Sequence, residues 1–311
     1  MAITYGNDSG NYDASDLHLA AILNQVIHNN IVDTTDLRMT ARFYGNIAGR
    51  GSAVLNVPGI TWSDAMAAAN TDETTAVSPT DPTTSVSTIT VARQSLVRSV
   101  SDLYNLTGGA GGAQLADFAA QMAGAASLRA TDMLCTLYSS VSANVGTSTV
   151  DLDTDDIYEA QYTLIAARVP EPYVCVLAPV QMTDLMTSLR GESGAQMYNA
   201  QTLAMLAGGA MRAKEWNGIT FIDSDSVPTS GGNRIGCMYN LEAFGFAEMV
   251  PDAMIQGAAP GSFASVVPQG SSVYVAFERK EREGLTDIVG NYFVGFGIIE
   301  NARAVKITTD A

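Results

Sequence analysis

The sequence predicts an α+β protein organised around one long helix, and three observations carry that expectation. From Gly112 to about Val141, Leu115, Phe118, Met122, Ala126, Met133, Leu137 and Val141 recur near the helical period. Before them, two β-like stretches flank a segment rich in Thr, Ser, Asp and Pro. After them, helical and strand-like stretches alternate as in a compact α/β unit, and further strands close the chain.

The long stretch contains no Pro and is dominated by Ala, Leu, Met and Gln, all good helix formers. The run TGGAGG just before it stops whatever precedes, because glycine frees the backbone there. About 30 residues at 1.5 Å each make a rod of roughly 45 Å, which implies an extended molecule. Asp117, Gln121, Ser127, Arg129 and Asp132 interrupt the apolar face, so the rod is not read as a membrane span and no membrane partner is expected.

With 311 residues, 47% of them hydrophobic, the chain can bury one large core or two modest ones. Thirty-two acidic side chains against sixteen basic ones give a formal charge of -16, and Lys occurs only at 214, 280 and 306. Such a balance repels phosphate, and no basic stripe interleaved with aromatics marks a nucleic-acid reader. Cys135, Cys175 and Cys237 are odd in number, far apart in sequence and set among apolar neighbours, which predicts buried free thiols in a reducing cytoplasm. The opening MAITYGNDSG lacks a basic region followed by an apolar one, so no secretory signal is expected.

Taken in order, residues 1–36 are polar and acidic with one amphipathic stretch, Leu17, Ala20, Ala21, Leu23, Val26 and Ile27, and read as an arm lying on something else. Leu37 to Trp62 is β-like with breaks at Gly45, Gly49, Gly51 and Pro58, and VSTITV alternates apolar and hydroxyl residues, so the two make a hairpin. The segment between them, around residues 63–85, has little to bury and is read as an exposed tip. Residues 94–106, QSLVRSVSDLYNL, place Leu96, Val97, Val100, Leu103 and Tyr104 on one helical face. Beyond the long helix, Thr154, Asp155 and Asp156 mark the start of a helix, with Glu159 three residues after Asp156 as in a capping box. YVCVLAP is a buried strand, and Pro179 suits the first turn of the helix reaching Leu189. A short helix near Leu203–Ala213 precedes Asn217-Gly218, a turn signal leading into the strand ITFID. RIGCMY and FGFAEMV are strands. Two long strands meet at Arg282–Gly284, and ARAVKIT closes the chain; the stretch around residues 86–93 is the expected partner of these terminal strands.

No reactive constellation survives comparison with its plain structural explanation. DLDTDD starts like a calcium loop, but Asp156 stands where glycine is needed and Tyr162 where Glu is needed, so helix capping accounts for it. GGAGGA lacks the dinucleotide spacing, and the phosphate loop with its Lys is absent. Asp8-Ser9-Gly10 has the letters of an aspartic-protease half-site without a second copy. His18 and His28 have no partner at metal spacing, and no GxSxG elbow occurs. The mixed-charge run ERKERE, 278–283, is read either as a solvated strand end or as a site of intersubunit ion pairing. The sequence predicts no catalytic residue, no metal site and no cofactor.

The order of elements is more informative than any single residue. A polar arm, a projecting hairpin, SLVRSVSDLYNL, one long helix, TDDIYEAQYTLIAARVPEPYVCVLAPVQMTDL and closing strands together resemble the major capsid protein of tailed bacteriophages, the HK97 fold. The resemblance covers essentially the whole chain. It implies an N-terminal arm over 1–36, an extended β-hairpin loop over 37–93, a peripheral domain over 94–150 and 266–311 with a spine helix at 112–143, and an α/β axial domain over 151–265. It implies subunits that assemble into hexamers and pentamers of an icosahedral shell, made in a bacterial host's cytoplasm and enclosing double-stranded DNA without sequence-specific binding. A portal, a separate scaffolding protein and a cement protein are the further partners it suggests; some family members begin with a scaffolding segment, whereas the arm here starts at Met1 and is short. The residues expected at subunit contacts are Leu17, Leu23, Val26 and Ile27 of the arm, Arg42, Arg50 and Trp62 of the hairpin, and Arg279, Arg282 and Glu283. An encapsulin-like compartment shell is the alternative in the same fold, and a soluble α/β enzyme using residues 151–265 is the alternative from another class.

Some members of that family weld subunits through isopeptide bonds from a Lys in the extended loop. Here no Lys precedes Lys214, and the guanidinium groups of Arg42, Arg50 and Arg93 stay protonated and cannot act as the nucleophile. Any shell is therefore expected to be non-covalent. Particles boiled in detergent with reductant should run as one band at 32.6 kDa, and a surviving ladder of oligomers would contradict this.

Overall fold

The computed structural model describes residues 37–61, 83–101, 111–191, 213–249, 263–266 and 273–310. The arm with Leu17, Leu23, Val26 and Ile27, the segment 62–82 with Trp62, and most of the helix expected near 203–213 lie outside them.

A 3-10 turn, Leu37–Thr40, leads into β1, Arg42–Asn46. Next come β2, Val54–Thr61, and β3, Thr83–Thr90, which pair antiparallel, followed by β4, Ala92–Ser101. The long helix α1 spans Gly111–Thr136 and tightens into a 3-10 turn, Leu137–Ser140, before the short β5, Ala143–Val145. Then α2, Thr154–Ala166, β6, Tyr173–Leu177, and α3, Pro179–Gly191, alternate. The strands β7, Ala213–Trp216, β8, Ile219–Asp223, β9, Thr229–Ser230, β10, Asn233–Asn240, and β11, Phe244–Glu248, follow. Last are β12, Phe263–Val266, β13, Val273–Lys280, β14, Leu285–Ile298, a 3-10 turn at Asn301–Arg303, and β15, Ala304–Asp310.

Two sheets carry the molecule. The larger has the order β5-β15-β10-β6-β8-β7, with β9 also on β10. Its central β6 reads YVCVL and is buried at all five residues, as a strand covered on both faces must be. Tyr173, Cys175 and Leu177 face one core with Ile157, Ala160 and Leu164 of α2 and Leu185 and Leu189 of α3. Val174 and Val176 face the other, with Leu134, Cys135 and Tyr138 from the end of the long helix. The second sheet has the order β1-β11-β14-β13-β12, with β4 also on β14. The long helix lies on it through Ala126, Ala130 and Met133 against Tyr292, Val294 and Phe296. At 26 residues α1 is about 39 Å long.

Five expectations change. Residues 94–101 are strand, not helix: every residue of β4 pairs in register with β14, from Ala92 with Val294 to Ser101 with Leu285. Leu96 and Arg98 are half-buried and Val100 buried, while Ser95 and Val97 are exposed, a period of two. Val97, Val100 and three serines favour helix weakly, so a long partner strand decides the matter. The preceding stretch is split. Only β2 belongs to the hairpin, whereas β1 pairs parallel with β11, and the chain turns between them at Gly49 and Gly51, both at positive φ. The partner of β14 is therefore 92–101 rather than 86–93. The final strand β15 does not stay with β13 and β14 but inserts between β10 and β5 in the larger sheet. Its Val305 and Ile307 complete the core over α2, and that burial fixes the choice. The capping box on α2 sits three residues earlier than read, at Asp153 and Asp156, because Asp153 is the last extended residue, at φ -108 and ψ 162.

Pro179 and Asn217-Gly218 act where expected. Pro179 opens α3, and Asn217-Gly218, with φ of 53 and 74, makes the two-residue turn of the β7–β8 hairpin. All three cysteines are buried, and none forms a disulfide. Among the described residues no helix is long and apolar enough to cross a membrane.

The β2–β3 hairpin is seated where β14 carries Gly295 and Gly297. A Cβ on Gly295 would lie 2.2 Å from the Thr90 carbonyl oxygen, and one on Gly297 would lie 2.8 Å from that of Thr88. These obstacles are backbone atoms that cannot rotate away. Gly295→Ala should destabilise the protein by about 1–3 kcal/mol, the usual range for overpacking. Urea unfolding would show this, and an unchanged midpoint would mean that the hairpin root is not held here.

Candidate assembly surface

The hairpin that projects from this seat has two unlike faces. Val57 and Ile89 are buried with Ile47, Val91 and Ala247, and Leu55, Met249, Phe293 and Ile299 pack around them. The Ser87 hydroxyl donates to the Ile299 carbonyl at 2.8 Å, and the Val91 N–H to that of Ala53 at 2.8 Å, which closes the root. On the other face Val54, Asn56, Pro58, Val86, Thr88 and Thr90 are exposed, with Val86 at 65%. Pro58 and Val86 are directly opposite each other. A two-stranded ribbon is marginal by itself in water. Its outward face is uncharged and carries apolar side chains, which is the composition of a surface to be covered.

A second feature joins the sheets. The chain crosses between them at Asn240–Phe244 and again at Ile299–Ala304, and the two crossings are bonded together: the Ala243 carbonyl accepts from the N–H groups of Ile299 at 2.9 Å and Glu300 at 3.3 Å. The Glu242 carboxylate receives Arg42 at 3.1 Å and Arg303 at 2.8 Å, and Arg303 also pairs with Glu300. Phe43 begins an aromatic row in which its ring is 5.0 Å from Phe246, which lies 5.6 Å from Phe296 beneath the long helix. Phe43 remains 53% exposed.

The structure disperses the residues expected at contacts. Arg42 is exposed on β1 and held by Glu242, and Arg50 is exposed beside the hairpin root. Arg279 sits at the end of β13, with its guanidinium 3.5 Å from the Thr286 hydroxyl, and Arg282 and Glu283 are exposed in the turn to β14. The charged side chains of this run are not brought near Arg42 by the sheet order, since β13 and β1 are separated by β14 and β11. Val54, Val86 and Phe43 were not singled out by sequence reading. Their signal was available only as alternation within short strands, which does not say which face is left bare. Glu242 had no signal at all, because its partners are 200 and 61 residues away.

Burial pushes the thiols of Cys175 and Cys237 upward and the phenol of Tyr138 well above its ordinary value, so each stays protonated. Among the described residues no three His, Cys, Asp or Glu side chains are placed to hold a metal ion.

No model of a known protein family matches the sequence, and no curated protein matches it. Solved structures do. The capsid of cyanophage P-SCSP1u aligns with a TM-score of 0.58 at 13% identity, over 87% of this chain and 86% of that one. The asymmetric unit of the bacteriophage PhiM1 mature capsid aligns with a TM-score of 0.60 at 9% identity, over 99% and 91%. This chain has the fold of phage capsid proteins. The same fold extends to the holo-SrpI encapsulin complex of Synechococcus elongatus PCC 7942, with a TM-score of 0.59 at 13% identity over 92% and 95%. At such identities the shared property is the path of the backbone.

Within the run 278–283, Lys280 is paired with a carboxylate outside it. Lys280 lies 2.7 Å from the buried Asp287 carboxylate, and the Ser99 hydroxyl donates to it at 2.6 Å, which ties β13, β14 and β4. Hydrogen bonds from Lys280 and then Ser99 hold the Asp287 carboxyl below its ordinary value. The folded pKa is thus lower than the unfolded one of about 3.9, so this group stabilises the fold above about pH 4 and loses that effect as pH falls through the lower folded value. Asp287→Asn should lower the melting temperature at pH 7 and converge with the parent protein toward pH 2. Parallel pH curves for the two proteins would contradict the assignment.

Proposed function

We propose that this protein is the major capsid protein of a tailed phage, assembling non-covalently into hexamers and pentamers of an icosahedral shell around double-stranded DNA. The observation that carries the reading is a fold shared along nearly the whole chain with phage capsids. The bare, uncharged face of the β2–β3 hairpin supports it, because such a ribbon needs a neighbour. In this reading residues 1–36 are an arm and 37–93 an extended loop. Residues 94–150 and 266–311 form a peripheral domain and 151–265 an axial one, with β11 and β15 each crossing to the other's sheet. The shell would lie in the virion and be made in a bacterial cytoplasm, with portal, scaffolding or cement proteins as additional partners. Contacts through Leu17, Leu23, Val26, Ile27, Arg42, Arg50, Trp62, Arg279, Arg282 and Glu283 are part of the same proposal. A formal charge of -16 suits a wall that lets packaged DNA slide.

The likeness to the SrpI encapsulin complex favours one other reading, a protein compartment. The contents separate the two. Particles from the native source should keep double-stranded DNA after nuclease treatment if the capsid reading is right, and protein cargo if the compartment reading is right. Expressed alone, the chain should give closed shells of uniform diameter in negative-stain images. Val86→Asp puts a charge on the hairpin's exposed face, where surface changes leave stability within about 0.5 kcal/mol. Its melting temperature should stay the same while closed shells disappear. Normal shells from this variant would remove the hairpin face from the interface.

A further inference from the structure

The sheet on which the long helix lies has one long edge left open. β4 pairs with β14 on one side, and among the described residues no strand lies on the other. Backbone parity shows which groups stand there. The Met249 N–H donates to the Phe293 carbonyl at 3.1 Å and the Ile299 N–H to that of Ala243 at 2.9 Å, so odd-numbered residues of β14 aim their backbone groups at β11 and even-numbered ones at β4. In the register of β4 on β14, Ala92, Gln94, Leu96, Arg98 and Val100 therefore face β14, and the N–H and C=O groups of Arg93, Ser95, Val97 and Ser99 point away from it. Such an edge is ordinarily guarded by proline, a bulge or lysine. β4 has ten residues, no proline, no lysine and an unbroken register, and its Arg93 side chain is turned onto Asn291 of β14 at 2.6 Å.

The hairpin presents an edge of the same kind. The Val91 N–H bonds to the Ala53 carbonyl, so bonded pairs of β2 and β3 fall on odd numbers and Pro58–Val86 is a non-bonded pair. Pro58, with no N–H to give, thus spoils the outer edge of β2 at no loss to the ladder with β3. On β3 the outward backbone groups belong to Thr84, Val86, Thr88 and Thr90. The carbonyls of Thr88 and Thr90 lie over Gly297 and Gly295 at the seat, which leaves the groups of Thr84 and Val86 as the open ones. β3 cannot turn back onto its own β4, because Val91 alone separates Thr90 from Ala92 and a tight antiparallel turn takes about two residues. Charge does not oppose a match between copies: TTSVSTIT has none, and ARQSLVRSVS has two arginines and no acid in a chain of formal charge -16. We propose that the open edge of β4 receives the distal part of β3 from a second copy, main chain against main chain. The inference rests on the shell reading and names the surface that the hairpin meets there. Giver and receiver are different patches, so the contact passes from copy to copy in one direction and builds a ring where the rotation closes.

Amide hydrogen exchange, followed by mass spectrometry on isolated subunits and on assembled shells, tests the pairing. The amides of Arg93, Ser95, Val97 and Ser99 should exchange at least about ten-fold more slowly in shells, while those of β6, which has a strand on each side already, change little. Shells in which β4 exchanges as it does in free subunits would overturn the pairing alone, whereas a chain that stays monomeric at every concentration overturns the shell reading with it. Val86→Pro removes one outward N–H and leaves the ladder with β2 intact. It should give folded subunits that do not close, while Val86→Ala, which keeps the N–H, should close normally. Closed shells from Val86→Pro would remove β3 as the occupant even where β4 is protected. Should Val86→Pro not fold, Thr84→Pro takes away the neighbouring outward N–H and is read in the same way.

Discussion

The strand β14 is the constraint on which the rest of this structure depends. At fourteen residues it pairs with β13, with β4 and with β11 over different parts of its length, and its apolar side chains receive the long helix. A strand used in so many ways has little freedom in composition. It needs branched or aromatic residues where the helix lands, hence Tyr292, Val294 and Phe296, and no side chain where another backbone crosses, hence Gly295 and Gly297. Alternation lets both demands be met within a few residues, because successive positions point to opposite faces. The hairpin root and the helix therefore sit on opposite sides of one short stretch of sheet.

That arrangement explains which parts of the fold were legible in the sequence. The long helix, the β13–β14 pair, the buried run YVCVL and the Asn217-Gly218 turn are local: each declares itself through period, turn chemistry or apolar continuity within about a dozen residues. Residues 94–101 misled because Leu96, Val97 and Val100 satisfy a helical face and a strand alternation alike, and only the partner, some 190 residues later, distinguishes them. Separation in sequence also hid the destination of β15, whose Val305 and Ile307 would suit either core by composition. The surface was less legible than the fold. Charged residues drew notice because charge is conspicuous in a sequence, yet Arg42 is occupied by Glu242 within its own subunit. The bare positions Val54, Val86 and Phe43 look like ordinary strand residues until the sheets are assembled.

In the shell reading proposed above, function resides in surfaces and angles. The joint between the sheets illustrates the division of labour there. Its rim, Arg42–Glu242–Arg303, is half-exposed, and pairs of that kind contribute at most about 1 kcal/mol each. Its interior is a chain of hydroxyls running Thr40–Tyr239–Tyr138 within an aromatic cluster, where Tyr239 meets Phe244 edge-on at 4.8 Å and Tyr138 lies 5.6 Å from the same ring. Hydrogen bonds in such a site are directional and unscreened, so they constrain orientation in a way that exposed charges do not.

Charge sets a further condition on any assembly of this chain. Copies that each carry a formal -16 repel one another, and at physiological ionic strength that repulsion is screened over only about 8 Å. Surfaces that come closer than this have to be poor in carboxylates or match each one with a cation. The outward face of the hairpin meets the first requirement: Val54, Asn56, Pro58, Val86, Thr88 and Thr90 include no ionisable group. The joint meets the second, since the Glu242 carboxylate already faces two guanidinium groups. The acidic residues at the start of α2, Asp155 and Asp156, meet neither, although Asp156 caps its own helix. A packing of subunits that brings hairpin faces and joints together and keeps the starts of α2 apart is therefore the one this charge distribution favours.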